Sequence, residues 1–266
     1  MFIETTKGVK LFVNDVGTGT PVIFLHGWPV NNNMFEYQLN TLPAEGIRYI
    51  GVDMRGYGQS DKPWDGYDYD TMADDVKAII DELGIKDAVL VGFSMGGAIA
   101  IRYMARHNGH GIARLVLAGA AAPVFTQRDD YPYGLTKQEV NDIIDSAYKD
   151  RPAMLKNFGG MFYSNKPSDP FNQWFMLLGL QAGGHSTIKS AVALRDEDLR
   201  DDLDKVLVPT AIFHGKKDQV CPYEFAGEMN KGISNSRIVP FENSGHGSFY
   251  DEREKFNQEL LVFLKS

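Results

Sequence analysis

Ala88-Val89-Leu90-Val91-Gly92-Phe93-Ser94-Met95-Gly96-Gly97 is the stretch on which the fold of this chain turns. Four apolar residues without a polar interruption read as a strand covered on both faces, and a helical pattern opens directly after the glycines. The GxSxG pentapeptide from Gly92 to Gly96 therefore falls on a sharp strand-to-helix turn. A serine at such a turn takes strained backbone angles, and only small neighbours let strand and helix pass so closely. Gly92, Gly96 and Gly97 are those neighbours. The turn lifts the Ser94 hydroxyl clear of the sheet and places the Met95 amide at a helix N-terminus, where negative charge is stabilised.

Outward from this turn, short apolar runs recur at Val9 to Val13, Val22 to Leu25, Tyr49 to Val52, Leu115 to Ala118, Ala211 to Phe213 and Arg237 to Pro240. Between them lie segments of helical period. Met72, Val76, Ile79, Ile80 and Leu83 share one face, with Asp70 or Thr71 as N-cap and Gly84 as terminator. Phe256, Leu260, Phe263 and Leu264 repeat the pattern at the C-terminus. Strands alternating with helices predict an α/β fold with a mostly parallel sheet and right-handed crossovers. The alternation stops between Val124 and Leu194, where helical pieces follow one another with no strand between. The chain is thus read as a core of residues 1–123 and 195–266 carrying a helical lid, or cap, of residues 124–194.

The chain has 266 residues and a net charge of -8, and no cluster of basic side chains. That balance argues against a nucleic-acid or anionic-membrane surface and suits small neutral or apolar ligands. A single cysteine, Cys221, excludes an intrachain disulfide and a multi-cysteine metal site, and reads as an ordinary packed thiol. The stretch from Met1 to Lys7 lacks the basic-then-apolar pattern of a signal peptide, and no apolar run approaches a spanning helix. A cytoplasmic protein is expected, with no membrane or nucleic-acid partner; a homo-oligomer is left open.

A serine hydroxyl is a weak nucleophile near neutral pH. It needs a base within hydrogen-bond reach and a third group that fixes the base's tautomer. In serine hydrolases built around this kind of turn the chain order is nucleophile, acid, base. Among the later histidines, His107 and His110 end the helix that follows the turn, about 20 Å from it, and read as cap or surface residues. His185 falls in the lid and His214 ends a strand, so both read as structural. His246 sits in Asn243-Ser244-Gly245-His246-Gly247, a glycine-flanked loop after the last strand, where a base can reach over the sheet edge. No carboxylate occurs from Leu115 to Arg128, whereas Asp218 lies just beyond the strand that ends at Phe213, with Pro222 placed to start a helix. Between Asp218 and His246 there is room for one helix and one strand. The oxyanion of the reaction needs preorganised donors. The Met95 amide is one, and the Trp28 amide, in the turn His26-Gly27-Trp28-Pro29, is the other. His26 precedes the nucleophile and reads as an anchor for that turn. Asp53 to Asp61 is glycine-rich but lacks the Lys-Ser/Thr of a phosphate loop, and reads as a structural turn.

His26-Gly27-Trp28-Pro29, Asp53-Met54-Arg55-Gly56-Tyr57-Gly58-Gln59-Ser60-Asp61, Asp68-Tyr69-Asp70-Thr71-Met72-Ala73-Asp74-Asp75, Val91-Gly92-Phe93-Ser94-Met95-Gly96-Gly97, and Asp218 with His246 together carry a resemblance. The chain is similar, over nearly its full length, to the α/β-hydrolase superfamily and within it to the bacterial aryl esterases and cofactor-free haloperoxidases. The resemblance implies an eight-stranded sheet, a triad of Ser94, Asp218 and His246, and oxyanion donors at Trp28 and Met95. It also implies that Phe93, Phe125, Phe158, Phe162 and Val220 line the acyl and alcohol pockets. Haloalkane dehalogenases and epoxide hydrolases of this fold carry Asp where this chain has Ser94, and are set aside. Haloperoxidase members need no metal or other cofactor: an acyl-enzyme formed with a short carboxylic acid is released by hydrogen peroxide as a peracid. Pro29 removes an amide donor and restrains Trp28, and is expected to fix the Trp28 carbonyl where a bound peroxide can donate to it.

The expectation from all this is a serine carboxylesterase acting on small aryl or alkyl esters through an acyl-enzyme, with perhydrolase activity beside it and no cofactor or metal. The alternatives are a dedicated perhydrolase, a lactam or C-C bond hydrolase, and a slow-turnover ligand receptor.

Overall fold

The computed structural model describes residues 1–5 and 8–265. Thr6 and Lys7, part of the opening stretch read above, and Ser266, in the expected C-terminal core segment, lie outside the described residues. Eight strands form one sheet: β1 (Phe2–Glu4), β2 (Lys10–Val16), β3 (Thr20–Leu25), β4 (Ile47–Val52), β5 (Ala88–Phe93), β6 (Ile112–Ala118), β7 (Thr210–Gly215) and β8 (Ser236–Phe241). Their order across the sheet is β1-β2-β4-β3-β5-β6-β7-β8, antiparallel at the first two pairings and parallel at the rest. β1 is absent from the sequence reading because three residues are too few to show a period.

The helices are α1 (Glu36–Leu39), α2 (Tyr69–Glu82), α3 (Met95–Arg106), α4 (Lys137–Gly159), α5 (Asp169–Leu180), α6 (Gly184–Asp196), α7 (Glu224–Gly232), α8 (Ser248–Asp251) and α9 (Arg253–Lys265). The N-cap of α2 is neither Asp70 nor Thr71 but Asp68, whose carboxylate accepts from both the Thr71 amide and the Thr71 hydroxyl. Asp70 instead pairs with Arg102 across to α3, which a local reading has no means of finding. Gly84 does close the helix, in a left-handed conformation.

Strand order reverses at β3, whose neighbours are β4 and β5. Ligands bind at such a switch point, in the crevice outside the strands' carboxyl ends. Leu25 and Gly92 are register partners there, so the turn opened by His26 and the turn holding Ser94 leave the sheet side by side. The inserted helices α4, α5 and α6 lie between β6 and β7 in the chain. α4 begins at a capping box of Thr136 and Glu139 and is kinked at Asp150, two residues before Pro152. Arg151 donates to the Gly179 and Leu180 carbonyls and so ties α4 to the C-terminal end of α5. Among the described residues no helix is long and apolar enough to cross a membrane.

Candidate active site

Ser94 has φ 52° and ψ -119°, a left-handed backbone that an L-residue adopts only under constraint. Hydrogen bonds supply the constraint: its amide donates to Ala118 O at the end of β6, and its carbonyl accepts from Ala121 N. A Cβ on Gly92 would come within 2.5 Å of Gly96 O, and one on Gly96 within 2.4 Å of Leu25 O. The two glycines are thus dictated by the approach of α3 to β3 and β5. Met95 is the first residue of α3, where amides have no intrahelical acceptor.

The turn after β3 abuts this elbow, since a Cβ on Gly27 would lie 2.8 Å from the Ser94 Cβ. His26 is fully buried and acts as an anchor: Met54 N donates to its Nε2 and its Nδ1 bonds Gly27 O. Trp28 is held through its indole N–H, which donates to Thr187 O on α6 at 2.8 Å. Asn31 donates to Gln181 just past α5, and Asn32 donates to Asp53. Asp53 also accepts from Gln59 N, so the Asp53 to Asp61 segment is a structural turn.

Asp218 lies beyond β7 with its side chain fully buried. One carboxylate oxygen accepts from Val220 N and Cys221 N, at 2.8 Å each. The other meets His246 Nδ1 at 2.8 Å. A carboxylate accepts only, so Nδ1 is the donor to Asp218, and in the neutral imidazole the lone pair falls on Nε2. Nε2 is buried and has no hydrogen-bond partner among the described residues. The His246 ring packs 4.7 Å from Phe93 and 4.9 Å from Phe162. Gly119, next to the residue that binds the Ser94 amide, lies against both His246 Nδ1 and Asp218 Oδ2. The chain thereby gathers Ser94, Asp218 and His246 around the carboxyl ends of β5, β6, β7 and β8.

The other histidines have structural partners. His107 and His110 bond Asp74 and Asp81, and His185 bonds the Pro63 carbonyl and stacks on Trp64. His214 bonds Cys221 O, and burial pushes its pKa below the usual value. Cys221 is buried as well, and burial first, then the Asp218 charge, raise its thiol well above the ordinary range. Pro222 precedes α7 by two residues.

Ser94 and Trp28 border a cavity of about 20 Å³, space for a single water. Of the residues expected to line the substrate pockets, Phe125, Phe158 and Val220 border this cavity too. Phe93 and Phe162 stand behind it against His246, and Pro29 and Phe162 border a separate small cavity beneath α5. The remaining walls come from the inserted helices: Val140 and Ile143 of α4, Ala191 and Leu194 of α6. Sequence reasoning missed these four. Each pair is spaced by three on its helix, which marks an inward face but does not separate a cavity wall from core. Among the described residues no three His, Cys, Asp or Glu side chains gather where they could hold a metal ion. Apart from Ser94, the residues bordering this cavity are aliphatic or aromatic.

Comparison with known proteins agrees with this fold. A family model described as "alpha/beta hydrolase fold" matches residues 20–253. The chain is 56% identical over 265 residues to the AB hydrolase superfamily protein YisY of Bacillus subtilis (strain 168), covering 100% of this chain and 99% of the relative. It is 34% identical to the bifunctional esterase/perhydrolase DCH of Acinetobacter calcoaceticus, with 100% and 99% covered. Among solved structures, the esterase EaEST from Exiguobacterium antarcticum superposes with a TM-score of 0.99 at 56% identity, covering 100% of this chain and 99% of that one.

Proposed function

The chain belongs to the α/β-hydrolase family, and from that premise we propose that it is a serine carboxylesterase for small, neutral aryl or alkyl esters. The observation that carries the reading is the buried His246, fixed by Asp218 through Nδ1, its Nε2 unpartnered and its ring packed against Phe93, the residue before Ser94 at the strained turn. Ser94 attacks the ester carbonyl while His246 takes its proton. The Met95 and Trp28 amides receive the developing oxyanion, each donor typically worth about 10² to 10³ in rate. His246 then gives its proton to the leaving alcohol, and activates the water that opens the acyl-enzyme. Residues 124–194 act as the lid over a core of 1–123 and 195–266, and Phe125, Phe158 and Val220 hold the acyl group. The relative named an esterase and perhydrolase supports a second outcome, in which hydrogen peroxide replaces water and the product is a peracid.

The test is Ser94→Ala assayed on p-nitrophenyl acetate, expected to lower kcat by about 10⁴ to 10⁶. Near-normal turnover by that variant would end the reading. A burst followed by almost no steady-state rate in the unaltered protein would favour a ligand receptor instead.

A further inference from the structure

The loop that carries His246 is a poor platform by composition. Gly245 and Gly247 flank the imidazole, and glycine loses more backbone freedom on ordering than any other residue. A base held on such a loop needs ties from outside it. Here they come from two adjacent carboxylates at the end of α8 and from the segment that follows α4.

Glu252 Oε2 accepts from Asn243 N at 2.9 Å and from Ser244 Oγ at 2.7 Å. Asp251 Oδ2 accepts from Gly245 N at 2.8 Å and from Ser164 N at 2.9 Å. A single carboxylate oxygen therefore joins the base loop to the inserted region. Two further bonds run alongside: Gly247 N donates to Phe162 O at 2.7 Å, and Ser164 Oγ donates to Asn243 O. The two backbones touch here, since a Cβ on Gly245 would lie 2.9 Å from both Phe162 O and Ser164 N. The same segment sends the Phe162 ring edge-on against the His246 imidazole.

We propose that Asp251 is a positioning residue for His246, its carboxylate clasping the base loop to the inserted helical region so that the imidazole stands at the elbow of Ser94. The proposal rests on the reading of His246 as the base for Ser94. Bonds from backbone N–H to an ionised carboxylate are roughly twice as strong as neutral ones, and Asp251 directs two of them at one point. A displacement of the reacting groups by about 1 Å can cost about 10²-fold in rate, so a loosened loop shows in turnover.

The variants are Asp251→Ala, which removes the clasp, and Asp251→Asn, which keeps a carbonyl oxygen able to accept both N–H bonds. Steady-state kinetics of the full chain on p-nitrophenyl acetate should show kcat lowered about 10- to 100-fold by Asp251→Ala, with KM within about threefold. Asp251→Asn should keep at least about a third of kcat. A tie that only held the fold together would lower the melting temperature and leave kcat at 25 °C where it was. Asp251→Ala with kcat within about twofold of the unaltered chain would overturn the proposal, as would Asp251→Asn losing as much kcat as Asp251→Ala. Should Asp251→Ala fail to fold, Asp251→Ser, which keeps a polar group at the site but is too short to bridge the Gly245 and Ser164 amides, is expected to lower kcat about tenfold at constant KM, and kcat within about twofold of the unaltered chain would overturn the proposal. Ser94→Ala on the same ester separates the two readings. If it turns over like the unaltered chain, the esterase reading fails and takes this one with it; if it is dead while Asp251→Ala is unimpaired, only this one fails.

Discussion

At the scale of the residue, chemistry here is set by where hydrogen bonds are already committed. Asp218 has its two oxygens divided, one to the Val220 and Cys221 amides and the other to His246. It therefore cannot rotate away from the imidazole without losing buried bonds, which cost about 1–3 kcal/mol each to leave unmade. His26 shows the converse. It sits within the same cluster of loops, but both of its ring nitrogens are occupied in pinning the turn before Trp28, so it has no lone pair to offer. Pro29 poses the sharpest residue-scale question. Its ring borders the cavity beneath α5 rather than the one at Ser94, so any influence on peroxide must pass through the backbone at Trp28. Pro29→Leu is expected to lower the ratio of peracid formation to ester hydrolysis, measured with acetate and hydrogen peroxide against p-nitrophenyl acetate. An unchanged ratio would remove Pro29 from the account.

At the scale of the element, the inserted helices divide the work. α6 is fastened to the core: Ser186, Thr187 and Ser190 are all fully buried, Ser186 bonds Tyr67 OH at 2.8 Å, and Thr187 O holds Trp28. α4, kinked at Asp150, forms the thinner wall. Ile143 and Phe158 border both the 20 Å³ cavity at Ser94 and a groove of about 380 Å³ outside it. No ester fits the inner space as it stands, so on the proposed esterase reading its walls must part for substrate, and these two side chains stand between it and the outer groove. Ile143→Ala is expected to raise kcat/KM for p-nitrophenyl butyrate relative to the acetate by about tenfold, the scale of one or two methylenes in an apolar pocket. Equal ratios in variant and unaltered chain would place the acyl group elsewhere. The elements themselves were legible because apolar period reports burial. The cap of α2 escapes that logic, since Asp68, Asp70 and Thr71 are all cap-forming types; Asp70 is drawn off to Arg102 on α3, and Thr71 is itself the donor to Asp68.

At the scale of the whole molecule, buried histidines make the fold sensitive to mild acid. His26 and His214 are fully buried, and loss of hydration holds each imidazole below its usual 6.5, although Asp53 and Asp218 respectively pull the other way. The unfolded chain takes up these protons near 6.5 and the folded chain refuses them. Stability is therefore complete above about pH 6.5 and declines as pH falls towards the folded values. Carboxylates held low by arginine, such as Asp74 by Arg106 and Asp196 by Arg195, give up their share only below the ordinary carboxylate range. The melting temperature should accordingly fall between about pH 6.5 and 5, and His214→Gln should flatten that slope; a melting temperature constant over that range would contradict the assignment. What the sequence determined alone was whatever rests on local order: the strand-turn-helix around Ser94, the alternation that makes the sheet, the helical interruption after β6, and the candidates at Asp218 and His246 from their places after strands. What tertiary structure decided was whatever depends on residues distant in the chain. Val140, Ile143, Ala191 and Leu194 become cavity walls only because α4 and α6 fold over β5, and Asp251 meets Ser164 only because α8 packs under the inserted region. Apolar period and turn chemistry act over a few residues, whereas a pocket or a clasp is a meeting of surfaces, and no spacing in the chain encodes which surfaces meet.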